Sequence, residues 1–235
     1  MAVRFDASGD YLRYTTVANL PSAATHSFCC WVKLSSDRND YANIWYLDGN
    51  NADGEIFVST DSDGTTLLIS DSATPLNLGT LTIGTWYFIG YARTNTARAA
   101  YIGTQSGGTL TKVSNTETKN RNTAYGSSGR VYLTNDIYSE WLDGEMAYAR
   151  VWTTVALSDA EMDAEWRSTT AVRTSNLWAA YALAAAASAA TDSGPNGYTL
   201  TVGGTLADGG ANPTPPAPAG GATGFMTTMR GTWGP

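Results

Sequence analysis

Apolar and polar residues alternate along most of the chain from Val3 to about Val155, the period-2 pattern of strands with one buried face. The segment 27–34 (SFCCWVKL) is a short apolar run suited to a strand buried inside a sandwich. Segments 55–60 and 65–70 flank Asp61-Ser62-Asp63-Gly64 and predict a hairpin that turns at Asp-Gly. Segments 85–92 and 98–102 predict a second pair, joined through the polar turn Arg93-Thr94-Asn95-Thr96. Segments 129–134 and 144–152 predict two more strands. Short strands recurring with turn signals between them predict an all-β sandwich or barrel.

One stretch breaks the period. Ser158 and Glu161 have the spacing of a capping box, and the following MDAEWRS favours one or two helical turns with Met162 and Trp166 on one face. Segment 176–190 (NLWAAYALAAAASAA) carries both signals, because its alanines favour helix while Leu177, Ala179, Tyr181 and Leu183 alternate. Its first half is predicted as strand and its second as loop, with a last short strand at 199–202.

From Asp208 the composition shifts, and four of the eight prolines fall within 213–218. The chain therefore divides into a sandwich at 1–206, a semi-rigid Pro/Gly linker at 207–224 and a terminal peptide at 225–235. Phe225, Met226, Met229 and Trp233 are costly to leave in water. They predict a docking peptide, the alternative being a tail that folds back on its own domain.

The 235 residues are only 15% charged, with 24 Gly, 13 Tyr and 8 Trp, which strengthens the reading of sheet over helical bundle. A net charge of −7 and scattered basic residues argue against nucleic acid as a partner. No apolar run approaches the roughly 20 residues of a membrane span, and the opening MAVRFDASGDYLRY has no apolar core of a secretion leader. Cys29 and Cys30 are adjacent, so in a strand they face opposite ways and form no bridge; within an apolar run they are inert thiols. His26, the single histidine, is expected as a solvated turn residue, too isolated for a histidine metal site or a catalytic triad.

Several motifs in order resemble the laminin-G-like domain of the concanavalin A-like lectin/glucanase superfamily. They are Trp31-Val32-Lys33, Gly84-Thr85-Trp86, Tyr101-Ile102-Gly103, Asp143-Gly144 leading to Arg150-Val151-Trp152, and Leu157 to Glu161. The segment 177–203 (LWAAYAL…TDSGPNGYTLTVGG) extends the likeness, though in many members that element precedes the Trp-Val-Lys strand. The resemblance covers residues 3–205 and implies a jelly-roll sandwich of two antiparallel sheets with one short helix. Phe5, Phe28, Trp31, Trp86, Phe88, Val151 and Trp152 are then core residues. A carbohydrate platform would draw on loop aromatics: Tyr41, Trp45, Tyr46, Tyr125, Tyr138 and Trp141. Superfamily members often bind calcium, for which Asp48, Asn50, Asp53, Asp61 and Asp63 supply oxygen ligands, although such loops are also ordinary turns.

Glucanases of the superfamily use Glu-x-Asp-x-Glu on a strand, and Glu161-Met162-Asp163-Ala164-Glu165 matches that motif. Here it follows a capping box. On a helix Glu161 and Asp163 diverge by roughly 200°, whereas a retaining glycosidase needs carboxyls about 5–5.5 Å apart. The expectation is a non-enzymatic virion structural protein, a capsid decoration or appendage component on the particle surface. Residues 225–235 would anchor it to other virion proteins in a homo-oligomeric lattice, and weak glycan adhesion would be multiplied by copy number. The alternative is a carbohydrate-binding or adhesion module of a secreted or cell-surface protein. A glucanase-like hydrolase, losing activity on Glu161→Gln, stands third.

Overall fold

In the computed structural model residues 1–48, 55–70, 74–116, 129–135, 138 and 140–218 are described. The strands are β1 (Val3–Phe5), β2 (Tyr11–Tyr14), β3 (His26–Leu34), β4 (Asn43–Asp48), β5 (Ile56–Thr60), β6 (Thr66–Ser70), β7 (Leu76–Thr80) and β8 (Tyr87–Arg93). They continue with β9 (Ala97–Thr104), β10 (Thr111–Thr116), β11 (Arg130–Leu133) and β12 (Gly144–Thr153). The helix α1 (Asp159–Trp166) follows, then β13 (Leu177–Tyr181), β14 (Thr201–Gly203) and β15 (Ala207–Asp208). One antiparallel sheet runs β10-β9-β8-β3-β12-β1-β15, with β13 also on β12, and the other runs β14-β2-β11-β4-β5-β6-β7. The two form a jelly-roll sandwich.

Alternation along each strand explains the layers. In β3, Phe28, Cys30, Val32 and Leu34 point between the sheets, where they meet Trp45, Leu47, Ile89, Tyr91 and Val151. Cys29 and Trp31 point the other way, into a second apolar layer on the outer side of the eight-stranded sheet. That layer is closed by α1, whose Met162 and Trp166 are fully buried. Two glycines make the seat. A Cβ on Gly90 would lie 2.5 Å from Met162 Sδ, and one on Gly103 would lie 2.7 Å from the Trp166 ring.

The seven expected core residues are all buried, but Trp31, Trp86, Phe88 and Trp152 belong to the outer layer under α1, not to the core between the sheets. The helix begins as expected, with Ser158 as N-cap and the capping box complete. His26 departs from expectation. It opens β3 fully buried, its Nδ1 lies 2.8 Å from the Ser22 carbonyl, and its ring packs against Trp45 and Tyr91. In segment 176–190 the strand ends at Tyr181, and the expected loop contains a 3-10 turn at Ala186–Ser188. The two cysteines are free, buried and on opposite faces.

The segment expected as a spacer is laid against the sandwich from its start. β15 pairs with Val3 and Arg4, and the backbones of Ala2, Gly209 and Gly210 exchange two further hydrogen bonds. The Gly210 N–H donates to Glu145, Asn212 donates to the Tyr148 hydroxyl, and Arg167 donates to the Ala217 carbonyl. Pro213 and Pro216 are buried while Thr214 is exposed, the three-residue period of a polyproline helix lying on a surface. A Cβ on Gly107, in the β9–β10 turn, would come within 3.2 Å of Pro216. Residues 207–217 thus form a strap from the β15 edge to the β9–β10 end of the same sheet. The remainder of the expected linker and the peptide 225–235, with Phe225, Met226, Met229 and Trp233, lie outside the described residues.

Candidate functional site

The outer face of the seven-stranded sheet carries a row of aromatic rings set up by strand register. Tyr132 of β11 stands opposite Tyr46 of β4, which stands opposite Phe57 of β5. Side chains directly opposite on one face of a sheet are within contact. The ring centroids step from Tyr11 to Tyr132 at 5.6 Å, to Tyr46 at 6.1 Å, to Phe57 at 4.6 Å and to Tyr138 at 6.3 Å. Arg13 lies 5.3 and 5.8 Å from the Tyr11 and Tyr132 rings, capping the row at the β2 end.

The row changes character along its length. Tyr46 is fully buried, and its hydroxyl donates to Glu55 at 3.3 Å. Burial, reinforced by the Asp48 and Glu55 carboxylates, pushes its phenol far above the usual tyrosine range. At the β5–β6 end the row opens: Tyr41 is 38% and Tyr138 59% exposed. There Tyr41, Phe57 and Tyr138 line a cleft of about 450 Å³, with Ser59, Asp61, Leu68, Ser70, Pro75 and Glu140 completing it. That volume falls in the range of about 300–1,000 Å³ typical of small-ligand sites. Glu140 is held by Asn43, whose side-chain amide donates to Oε2 at 3.1 Å. Asp61 is fixed in the β5–β6 turn, where its Oδ1 accepts from the Ser62 N–H at 2.7 Å. Exposed tyrosines beside carboxylates and hydroxyls can stack on an apolar sugar face and bond its hydroxyls.

Of the six expected platform aromatics, Tyr41 and Tyr138 meet in this cleft, and Tyr46 lies behind Phe57. Trp45 is not a loop residue. It points between the sheets, fully buried and stacked on Phe28 at 4.8 Å. Trp141 stands apart, its ring covered by the Arg38 guanidinium at 3.9 Å, while Arg38 also donates to the Trp141 carbonyl. Tyr125 lies outside the described residues. Phe57, Tyr132 and Tyr11 were not among the expected residues. The alternation of Ile56-Phe57-Val58 signals that Phe57 faces away from its neighbours, but not that the outer face is the functional one.

The described candidate calcium ligands, Asp48, Asp61 and Asp63, each bond within the protein. Asp48 is buried and bonded to Arg130 Nε at 2.8 Å. Asp63 accepts from Thr65 and Thr66 in its own turn, and the Thr66 bonds hold its carboxyl below the usual range. Among the described residues no three His, Cys, Asp or Glu side chains could hold a metal ion, and Asn50 and Asp53 lie outside them. The Glu-x-Asp-x-Glu carboxylates each have a structural partner. Glu161 closes the capping box and pairs with Arg173, and Asp163 pairs with Arg167. Glu165 is fully buried, bonded to Arg150 at 2.6 Å and to the Val172 and Arg173 N–H groups. Among the described residues no helix is long and apolar enough to cross a membrane.

No family profile matches the chain, and no curated protein does. Solved structures do. Full-length tailspike protein 2 from an Escherichia coli O157:H7 bacteriophage superposes with a TM-score of 0.60 at 14% identity, covering 77% of this chain and 26% of that one. A putative carbohydrate binding protein from Bacteroides ovatus superposes at 0.56 and 11% identity, covering 88% and 58%. The LG1–3 region of the laminin α2 chain gives 0.51 at 12% identity, covering 68% and 32%. The chain therefore spans about a quarter of the tailspike it matches. At these identities the likeness establishes the fold, the concanavalin A-like jelly roll that laminin G-like domains share.

Proposed function

We propose that this protein is a non-enzymatic glycan-binding module displayed on a virus particle, and that it binds sugar in the cleft of Tyr41, Phe57 and Tyr138. The cleft carries the reading, because it unites the exposed Tyr41 and Tyr138 with the carboxylates of Asp61 and Glu140 and the hydroxyls of Ser59 and Ser70. The fold supports it by analogy, as it also occurs in a protein described as carbohydrate binding and in a phage tailspike. Non-catalytic use is supported by the ion pairs of Glu161, Asp163 and Glu165, which leave that motif with structural partners. Display on a particle, homo-oligomeric and anchored through residues 225–235, fits a module whose single-site affinity is weak and multiplied by copy number.

Two measurements test this. The purified chain applied to a glycan array binds at least one oligosaccharide class, and Tyr138→Ala weakens the signal; uniform silence across the array removes the binding function. Mass spectrometry of purified particles from the source culture finds this polypeptide in fixed ratio to the major coat protein. Its absence there leaves a free adhesion module, secreted or cell-surface, as the function.

A further inference from the structure

A second cleft, of about 480 Å³, lies on the outer side of the eight-stranded sheet, between β13, the loop that follows α1 and the loop 193–195. Every residue that lines it is among those described. A bulge in β12 supplies its aromatic wall. Tyr148 and Ala149 together stand opposite the single residue Cys30 of β3. Met146 points between the sheets and Ala147 outward, so plain alternation would turn Tyr148 into the core. The extra residue turns it outward instead, onto the same layer as Ala147, at a φ of 54° that a bulky side chain rarely adopts. Bulges and strained backbone of this kind collect at binding sites. The remaining walls are small and fixed. Ala180 and Ala182 leave the space, the Ser193 N–H and hydroxyl both bond the Ala180 carbonyl at 2.7 and 2.9 Å, and Glu165 holds the loop after α1 through the Val172 and Arg173 N–H groups.

We propose that this cleft is a second glycan site and that it takes a neutral sugar. The Tyr148 ring and the methyl groups of Ala180 and Ala182 suit the C–H face of a sugar ring. Three hydroxyls remain to bond the sugar's own. Thr169 and Thr174 make no side-chain hydrogen bond among the described residues, and Tyr148 accepts from Asn212 at 3.1 Å while keeping its own hydrogen to donate. The one charged group that lines the cleft is already engaged. The Arg150 guanidinium, 2% exposed, donates to the Glu165 carboxylate and carbonyl and to the Ser168 carbonyl. A charged ligand therefore gives up hydration without meeting a counter-charge among the described residues, a cost that a neutral sugar avoids. The Tyr138 cleft lies on the other sheet, so either site can fail without the other.

The test is NMR titration of the full chain carrying methyl-labelled alanine. Ala171, Ala180 and Ala182 line this cleft, whereas no alanine lines the other among the described residues, so the methyl signals separate the two sites. The probes are glucose, galactose, mannose and N-acetylglucosamine, with galacturonate and glucosamine as charged controls. At least one neutral sugar should shift the three methyl signals saturably, and both charged sugars should bind more weakly than it does. Tyr148→Gly removes the ring at a left-handed position that glycine accepts, and it should weaken binding at least about 5-fold. Thr174→Val, at an exposed position, removes one hydroxyl and keeps the side chain's shape. It should weaken binding about 2- to 10-fold, and it stays informative if Tyr148→Gly disturbs the fold. Tyr138→Ala should leave these shifts unchanged. No saturable shift from any neutral sugar, or shifts indifferent to both substitutions, overturns the second site and leaves the Tyr138 cleft as it stands. A charged sugar bound as tightly as the best neutral one overturns the neutral preference. Saturable shifts here, on a chain whose array signal is indifferent to Tyr138→Ala, sustain this site and overturn the other.

Discussion

Trp45 and Tyr46 are neighbours in sequence and lie on opposite sides of one sheet. Trp45 stacks on Phe28 in the core, while Tyr46 belongs to the outer aromatic row. Trp45→Ala should cost about 3–5 kcal/mol, the range for truncating a buried tryptophan, and depress the melting temperature accordingly. Tyr138→Ala, at a position 59% exposed, should leave melting nearly unchanged while weakening glycan binding at least about 5-fold, as expected for losing an aromatic contact of about 1 kcal/mol. Paired melting and titration curves on the two variants check both. The sequence made the aromatics of this region legible but not their direction. Alternation reveals phase only where one face is wet, and all six residues of β4 are buried. His26 misleads for a related reason, since polar neighbours suggest a turn while Trp45 and Tyr91, distant in the chain, supply its surroundings.

The helix shows which elements a sequence can declare. The capping box is written in four consecutive residues, and it forms: Glu161 N–H donates to Ser158 Oγ, and Ser158 N–H donates to Glu161 Oε2 at 2.9 Å. Hydrogen bonds from Ser158, aided by Arg173, hold the Glu161 carboxyl below its ordinary range. Bonds from Lys112 and Tyr101 do the same for Asp159. Groups with depressed folded values contribute stability that is full above the ordinary carboxylate range, near pH 4–4.5, and is lost as the pH falls through the folded values. Melting should therefore weaken as the pH is lowered below about 4–4.5. Ser158→Ala should cost about 1 kcal/mol at neutral pH and flatten that acid limb, which thermal melts across pH would record. By contrast, nothing local announces that Arg150 of β12 donates to Glu165 of α1 and to the Ser168 carbonyl. Nor does anything local announce that Gly90 and Gly103 make the seat for Met162 and Trp166 of the same helix.

For the whole molecule, the strap matters most. Its prolines predict an extended chain, but a composition signal cannot tell an extended chain in water from one lying on its own domain. The three-residue spacing of Pro213 and Pro216 was the available clue. Ending the protein at Leu206 removes β15, the Glu145 and Tyr148 bonds and two buried prolines. It should lower the melting temperature by roughly 5–15 °C, at about 2–4 °C per kcal/mol for a chain of this size. Ending it at Pro218 should leave melting unchanged, and scanning calorimetry on the two truncations distinguishes them. The strap also gives the molecule polarity. The described chain leaves along the outer side of the eight-stranded sheet, while the aromatic cleft opens on the outer side of the other.

The pairing of β14 with β2 and of β15 with β1 has a consequence for how the protein is made. β1 leaves the ribosome with no partner until residue 144 has been synthesised, and its outer edge stays open until residue 207. β2 waits for β11 on one side and for residue 201 on the other. Unpaired edges on a nascent chain are where neighbouring copies on a polysome tangle, and pairings this distant in sequence close slowly. Biosynthesis therefore holds β1 and β2 in a vulnerable state until residues 201–208 arrive, and the short strands β14 and β15 end it.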